Sequence, residues 1–564
     1  MTNQFIAFWV NHQKDMIGET VDNSSIILSD GKSSKNILTN SPLFWHGSQE
    51  PELLSQLNFQ KSLLDFSKPV IVLKKNDQWY VSSENALSSE SGKWEVIATC
   101  PPFLPEFLGD DSFKATYSVK YPLYGGAMAN GISAAEFVIA LGKSGFMGSF
   151  GAGGLLPEKI AKGIKQIQEA LIDQPYLINL INSPFEPSLE ERTVDLFLRN
   201  NIHNIEASAY LTITKNLVRY RASGLTQNPD GSVNIANRLI AKVSRKEVAI
   251  KFMEPASDDI VNSLLEEKII TAEQARLAKL VPMADDITVE ADSGGHTDNR
   301  PLVSVLPAII RLRNQVQTKR NYPQPVRIGA AGGIATPESV LAAFMMGAAY
   351  VTTGSINQGC LESGASAHTK KLLAQMEMTD VAMAPASDMF EMGVKVQVLK
   401  RGTMFAMRAQ KLYEIYSRYE SMDEIPLLER EKLESTIFKM SLDAVWGECL
   451  KFFTLRDPQQ IERAEKNPKA KMALIFRWYL GLASRWSNIG EAGREMDYQI
   501  WCGPSMGAFN DWVRGTYLEN AENRKVADVN LQLLTGATYL YRLNILESHG
   551  IRFDSLIKEY RPQM

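Results

Sequence analysis

Apolar and polar positions along residues 117–360 recur in a strand, loop and helix rhythm. Short apolar runs rich in β-branched residues predict strands, and glycine or polar residues follow nearly every one of them. The pattern predicts eight strands: Tyr124–Ala129, Gly145–Phe150, Tyr176–Ile181, Asn204–Ala209, Leu239–Val243, Ile287–Ala291, Val326–Ala330 and Ala349–Thr353. Periodicity near 3.6 residues predicts helices at Ala134–Ser144, Pro157–Ala170, Glu190–Asn200, Leu302–Leu312 and Glu338–Met346.

Eight such units match the size of a closed (β/α)8 TIM barrel, an α/β fold. A doubly wound open sheet is the alternative, and it gathers its ligand-binding residues at one switch point. Here the glycine and polar residues follow nearly every strand. The pattern therefore favours the barrel.

The regions on either side of the predicted barrel differ from it. Residues 1–112 mix polar runs with short apolar pieces, such as Ser25–Leu28, and predict two strands, Val70–Leu73 and Trp79–Val81, around a turn. The barrel is assigned to residues 113–365, and residues 366–564 are expected to form a mainly helical substrate or lid domain. Its helices are predicted at Met407–Glu420, Leu427–Leu450, Lys469–Trp486 and Val526–Glu547.

Composition narrows the class of protein. The chain has 564 residues, too many for one core, and its 45% hydrophobic and 22% charged residues are typical of a globular protein. A net charge of −4 argues against nucleic acid as a partner. The four cysteines form no CxxC pair, so neither a metal site nor a disulfide framework is expected, and a cytoplasmic protein is the simpler assumption. No signal peptide and no membrane span are predicted.

The most concentrated polar segment is Asp285–Pro301, which joins the sixth strand to a helix. It contains two successive glycines, Gly294 and Gly295, and then His296. Loops at the carboxyl ends of barrel strands carry active sites. A lone histidine is also compatible with a structural role, and both interpretations stay open at this level.

Two polar residues interrupt apolar strands. Asn179 lies inside the third strand and must bond either to a ligand or to a neighbouring strand, because burying an unsatisfied amide is costly. Lys242 interrupts the fifth strand. It either points into the barrel toward an anionic partner or extends from the edge to solvent.

The loops after strands seven and eight predict a phosphate site. The seventh contributes Gly332 and Gly333, and the eighth contributes Thr353, Gly354 and Ser355. Glycines leave backbone N–H groups accessible to an anion, and hydroxyls add donors. Phosphate sites formed by these two loops recur in TIM-barrel enzymes.

Several long motifs resemble the PfaD-type trans-acting enoyl reductases of polyunsaturated fatty acid and polyketide synthases. They are Glu290–Pro301, Gly329–Ile334, Thr353–Gln358, Ala384–Glu391 and Trp501–Asn510. More distantly, the barrel is similar to nitronate monooxygenases and to the enoyl reductase FabK. The resemblance implies an FMN-binding barrel that takes hydride from NADPH and reduces the 2,3 double bond of an enoyl thioester on an acyl carrier protein.

The resemblance also implies roles for individual residues. Gly126, Ala127 and Met128 would line the flavin ring, while Asn179 and Lys242 would contact its polar edge or ribityl chain. Gly294, Gly295 and His296 would lie beside the ring, and Gly332, Gly333, Thr353, Gly354 and Ser355 would hold the phosphate.

His296 is the expected catalytic residue, because an imidazole can stabilise enolate charge or supply a proton. Asp298 or Asn299 is expected to orient it. An FMN-dependent nitronate monooxygenase is the alternative function, and a non-catalytic synthase scaffold is a third. The oligomeric state stays open.

Overall fold

The computed structural model describes residues 42–182 and 187–563. The predicted piece Ser25–Leu28 lies outside the described residues. Contacts divide the described chain into two compact units, one of residues 42–108, 515–518 and 531–563 and the other of residues 109–514 and 519–530. These units differ from the three predicted domains, because most of the helical region after the barrel shares a unit with it, whereas residues 531–563 belong to the unit of residues 42–108.

The first unit contains a six-stranded sheet. Its longest strands, Val70–Lys75, Gln78–Ser82 and Trp94–Cys100, pair antiparallel. The hairpin predicted around residues 75–78 is confirmed, with Asn76 and Asp77 at positive φ in the turn. The remaining strands and helices of this unit are Phe44–Trp45, Glu52–Leu53, Leu87–Ser88, Gln56–Leu64, Ser555–Lys558 and the part of Val526–Ser548 from residue 531.

The second unit is built on a closed barrel of eight parallel strands, in the order in which they occur along the chain. The strands are Leu123–Gly125, Met147–Phe150, Leu177–Ile181, Asn204–Ser208, Arg238–Val243, Asp286–Glu290, Arg327–Ala331 and Val351–Thr353. Each overlaps one of the eight predicted strands, and the TIM-barrel prediction is confirmed. Most of their positions are buried on both faces, as parallel strands require.

Helices follow the strands and cover the barrel. They are Ala135–Lys143, Pro157–Ala170, Pro187–Arg199, Lys215–Ser223, Lys246–Met253, Asp258–Glu266, Ala272–Ala278, Leu302–Arg320, Pro337–Met345 and Ser355–Gln358. The helix Pro157–Ala170 shows why sequence predicts such elements well. Proline fits its first turn, and Ile160, Ile164 and Ile167 recur on the buried face.

A buried ion pair closes the amino-terminal end of the barrel. Arg327 donates to Asp286 through Nε at 2.6 Å and Nη2 at 2.8 Å, and Tyr117 donates to the same carboxylate at 2.6 Å. Burial raises the pKa of Asp286, although the charge of Arg327 opposes that shift. This end of a TIM barrel serves stability, and the loops at the opposite end carry the site.

The helical region after the barrel is confirmed, with one correction. Its helices are Ala367–Ala374, Phe405–Arg418, Leu427–Leu433, Leu442–Arg456, Gln459–Lys466, Pro468–Ile489 and Ser505–Val513. The single helix predicted over Leu427–Leu450 was wrong, because a π-helical turn over Glu434–Phe438 and Lys439 at positive φ interrupt it. Ser441 then caps a new helix through the N–H of Ala444.

Across residues 42–182 and 187–563, no helix combines the length and apolar character that crossing a bilayer requires.

Candidate active site

The loop after the sixth strand forms part of a small sheet that sequence patterns did not predict. Gly295 and His296 pair antiparallel with Gln397 and Val396 of the strand Lys395–Leu399, which also pairs with Val381–Pro385. Gly295 has φ +77°, a conformation that favours glycine. A Cβ on Gly294 would lie 2.7 Å from the Cα of Cys502, so close backbone packing requires glycine there.

His296 forms a hydrogen-bonded pair with Asp388. Its Nε2 lies 3.2 Å from Asp388 Oδ1, and 39% of its side chain is exposed. Burial lowers the pKa of the imidazole, but the carboxylate of Asp388 outweighs it and raises the pKa above the usual value. Asp388 belongs to the quoted motif Ala384–Glu391, but no role for it was predicted.

The expectation that Asp298 or Asn299 orients His296 needs correction. Asp298 accepts from Arg245 through Nε at 2.8 Å and Nη2 at 2.6 Å, and this guanidinium lowers its pKa to about 2. Asn299 donates to Asp292 at 3.0 Å. Sequence proximity favoured these two residues, whereas the strand pairing of the loop brings Asp388 to the imidazole from 92 positions away.

Lys242 lies between two carboxylates inside the barrel. Its Nζ is 3.1 Å from Glu290 Oε1 and 3.5 Å from Glu206 Oε1. Burial disfavours the ammonium, but Glu290 and Glu206 together raise its pKa. Of the two open interpretations, an anionic partner inside the barrel is therefore the correct one, and the protein itself supplies that partner.

Glu206 is a site residue that the sequence interpretation missed. It is fully buried, and its Oε2 accepts from the N–H of Ala127 at 3.1 Å. The same carboxylate thus holds the first loop and lies beside Lys242. Glu206 interrupts an apolar strand in the same way as Lys242 does, and this pattern could have identified it from the sequence.

Asn179 bonds to the neighbouring strand, which is one of the two alternatives left open for it. Its Nδ2 donates to the backbone oxygen of Glu206 and to Ser208 Oγ, both at 3.0 Å. Both contacts use the amide nitrogen. The predicted contact of Asn179 with a ribityl chain stays a prediction.

One glycine in each of the sixth, seventh and eighth loops borders open space. A Cβ added to Gly295, Gly333 or Gly354 would meet nothing within 4 Å. Gly332 differs, because a Cβ there would lie 2.7 Å from the backbone of Ala291, and its φ is +80°. Three of these positions could therefore border a ligand, and Gly332 makes the close turn that places Gly333.

Two predicted phosphate ligands already have protein partners. The Thr353 hydroxyl donates to Asn530 Oδ1 at 2.7 Å, so this side chain is not available to an anion. Ser355 Oγ accepts from the N–H of Gly503 at 3.0 Å, which leaves its own hydroxyl hydrogen for another acceptor.

The first loop, which contains Gly126, Ala127 and Met128, contacts both the barrel and the helical region. The N–H of Gly126 donates to Thr353 O at 2.9 Å, and that of Met128 donates to Ser133 Oγ at 2.9 Å. Asn130 Nδ2 donates to Ser484 Oγ at 2.9 Å, on the helix Pro468–Ile489. The helical region therefore packs directly on a barrel loop.

Comparison with known proteins gives two family matches. Residues 111–414 match the family described as nitronate monooxygenase. Residues 419–498 match the family described as the inserted helical domain of acyl-carrier-protein S-malonyltransferase.

Relatives with high identity are named for polyunsaturated fatty acid or polyketide biosynthesis. Over 78% of this chain, the sequence is 52% identical to a polyunsaturated fatty acid synthase subunit of Thraustochytrium sp.. Over 77% of this chain, it is 47% identical to polyketide biosynthesis protein PksE of Bacillus subtilis. It is 39% identical to the enoyl reductase domain of MlnA from the macrolactin cluster of Bacillus amyloliquefaciens. That match covers 78% of this chain and 99% of that one, with a TM-score of 0.75.

The chain belongs to the PfaD-type enoyl reductase family. The chain spans 30% of the length of the Thraustochytrium protein and 56% of PksE. The match to the MlnA enoyl reductase domain covers 99% of that domain. All five motifs quoted for the resemblance lie within the second unit. The motif Glu290–Pro301, which contains His296, contacts Ala384–Glu391 through Asp388 and approaches Trp501–Asn510 at Cys502. Trp501–Asn510 in turn contacts Thr353–Gln358 through the bond from Gly503 to Ser355.

Proposed function

We propose that this protein is a trans-acting enoyl reductase. It would use NADPH and FMN to reduce the 2,3 double bond of an enoyl thioester carried on an acyl carrier protein. The pairing of His296 with Asp388, beside the open glycine positions of three successive barrel loops, is the observation that carries this proposal.

The residues at the barrel mouth fit a flavin. Open space beside Gly295, Gly333 and Gly354 would admit a flat ring and its phosphate chain, and a Cβ at any of them would project into that space. The first loop, Gly126–Met128, and Lys242 would contact the ring. Gly332, Gly333, Gly354 and Ser355 would hold the phosphate. When bound, the flavin supplies hydride transfer, and the protein supplies binding and orientation.

His296 is the residue proposed to act on the substrate. With Nε2–H donated to Asp388, the neutral ring keeps only a lone pair on Nδ1. The imidazolium form adds an Nδ1–H, which can donate to a thioester oxygen or provide the proton for the α-carbon. The raised pKa favours the protonated form that either role requires.

An acyl carrier protein is proposed as the partner because of the helical region. Residues 419–498 resemble a domain inserted in an enzyme that acts on acyl carrier protein. The helix Pro468–Ile489 of that segment contacts the first barrel loop through Ser484. This contact supports the proposal that the segment borders a substrate at the barrel mouth. The proposal includes the division into an N-terminal region of residues 1–112, an FMN-binding barrel of residues 113–365 and a helical substrate or lid domain of residues 366–564.

A nitronate monooxygenase is the second candidate, favoured by the match of residues 111–414. In that chemistry His296 would take a proton rather than supply one. Oxygen uptake with a nitronate and no NADPH would support it. NADPH-dependent loss of the double bond of crotonyl-acyl carrier protein would support the reductase.

The test uses the purified full chain. A yellow preparation whose flavin absorption is bleached by NADPH and restored by crotonyl-acyl carrier protein is the expected result. His296→Ala should keep its flavin and lose at least about 100-fold in kcat, the usual contribution of a general acid. His46→Ala is the matched control, because His46 is also exposed and bonded to one oxygen, Glu90 O, but belongs to the other unit. Parent-like turnover of His296→Ala would refute the assignment.

A further inference from the structure

Three buried side chains form a closed ring of hydrogen bonds behind the eighth loop. Thr353 Oγ1 donates to Asn530 Oδ1 at 2.7 Å, Asn530 Nδ2 donates to Asn357 Oδ1 at 3.0 Å, and Asn357 Nδ2 donates to Thr353 Oγ1 at 2.8 Å. All three residues have 0% exposure. Each side chain both donates and accepts, so the ring fixes the orientation of both amides.

The ring also holds the turn that is proposed to bind phosphate. Asn357 Nδ2 donates to Thr353 O at 3.0 Å, and the N–H of Asn357 donates to Gly354 O at 2.9 Å. In a trans peptide the N–H points opposite to the C=O. The N–H of Gly354 therefore points away from the Asn357 amide, that of Ser355 points away from the backbone N–H of Asn357, and the space beside Gly354 is open.

Asn530 comes from outside the barrel. It lies in the first turns of the helix Val526–Ser548, 177 positions after Thr353, and its Nδ2 also donates to Val526 O at 2.8 Å. Asn530 thus connects the turn to a long helix that is not part of the (β/α)8 repeat. The other two members of the ring, Thr353 and Asn357, belong to the eighth strand and to the short helix that follows it.

We infer that Asn530 is a positioning residue for the anion-binding turn and thereby sets a preference for phosphorylated over unphosphorylated flavin. This inference rests on the proposed function, because it assumes that the turn holds the phosphate of FMN. Asn530 itself touches no part of the proposed ligand. It acts through Asn357, whose side chain orients the peptide group between Thr353 and Gly354.

Replacing Asn530 with alanine leaves two buried polar groups without partners, the hydroxyl hydrogen of Thr353 and the side-chain carbonyl oxygen of Asn357. Burial without a partner is unfavourable, so both side chains should reorient. If the Asn357 amide turns away from Thr353 O, the N–H of Gly126 alone holds that carbonyl, and the Gly354 N–H loses its fixed direction. Each N–H···phosphate bond is charge-assisted, and losing one should weaken FMN binding about tenfold or more. Riboflavin lacks the phosphate, so its affinity should not change.

The experiment compares FMN and riboflavin on the full chain after removal of bound flavin. Quenching of flavin fluorescence gives both dissociation constants for the parent and for Asn530→Ala, and thermal unfolding verifies the fold. Asn237→Ala is the matched control. Asn237 is a buried amide in the same unit that donates to Tyr220 O at 2.8 Å, but it precedes the fifth strand at the opposite end of the barrel.

The expected result is a large drop in the ratio of FMN to riboflavin affinity for Asn530→Ala alone. Equal weakening of both flavins in Asn530→Ala, or an unchanged ratio, overturns the inference and leaves the proposed function standing. A parent protein that binds neither flavin overturns the proposed function itself. Should Asn530→Ala not fold, Thr353→Val decides the outcome, because it removes only the hydroxyl that donates to Asn530 and should lower the same ratio.

Discussion

Replacing Asp388 with asparagine tests whether this carboxylate tunes His296. The substitution keeps the shape of the side chain and removes a negative charge whose Oδ1 lies 3.2 Å from Nε2. The imidazolium loses its nearest counter-charge, while burial, which opposes the charged ring, stays in place. The pKa of His296 should therefore fall.

The magnitude follows from distance and exposure. Two unit charges 3.2 Å apart attract by about 1.3 kcal/mol at the dielectric constant of water. The side chains are 39% and 47% exposed, and pairs of that kind contribute up to about 1 kcal/mol. We therefore expect His296 to bind its proton about fivefold less tightly in Asp388→Asn, because about 1.4 kcal/mol corresponds to tenfold.

Two measurements follow the proton. Histidine Cε1 signals, recorded by NMR on selectively labelled protein and assigned with His296→Ala, report the titration directly. The basic limb of the pH profile of kcat/KM should move to lower pH, since the protonated ring is the proposed donor. The pair should stabilise the fold below the ordinary histidine pKa and lose that contribution as pH rises through the folded pKa.

Asp298→Asn is the matched control, because Asp298 lies two positions from His296 but bonds to Arg245 and Ser244. It should leave the titration of His296 nearly unchanged. An unaltered titration in Asp388→Asn, or a larger change in Asp298→Asn, would refute the assignment of Asp388.

Two further predictions concern stability. Arg327→Met should lower the free energy of unfolding, measured in urea, by about 3–5 kcal/mol, because Asp286 keeps a buried charge without its partner. The control Arg245→Met breaks an exposed pair and should cost under about 1 kcal/mol, and equal losses in the two variants would contradict this reasoning. Arg542→Met should speed hydrogen exchange in the helix Gln56–Leu64, since Arg542 donates to Leu63 O at 2.6 Å and to Asp65 O at 2.9 Å. The exposed Arg552 offers the control Arg552→Met within the same unit, and unchanged exchange in Arg542→Met would show that these bonds do not hold the helix end.

The eight barrel strands could be predicted from the sequence because the information is local. A buried parallel strand must be apolar along its whole length, and a glycine or polar loop must follow it. The loop prediction was similarly local, and Gly295 and Gly333 do have positive φ. The π-helical interruption within Leu427–Leu450 was missed because the apolar periodicity of that segment gave no sign of it.

The sequence by itself determined the repeated strand and helix pattern, the glycine loops and the family motifs, since each depends on neighbours a few positions away. Only the tertiary structure decided which charges and amides meet. Strand pairing places Asp388 beside His296, the parallel pairing of two neighbouring barrel strands places Glu206 beside Lys242, and the first turns of the helix Val526–Ser548 bring Asn530 to Thr353. These partners are separated by 36 to 177 positions in the sequence. Ion pairs and hydrogen bonds over such separations depend on the packing of whole helices and strands rather than on any local pattern.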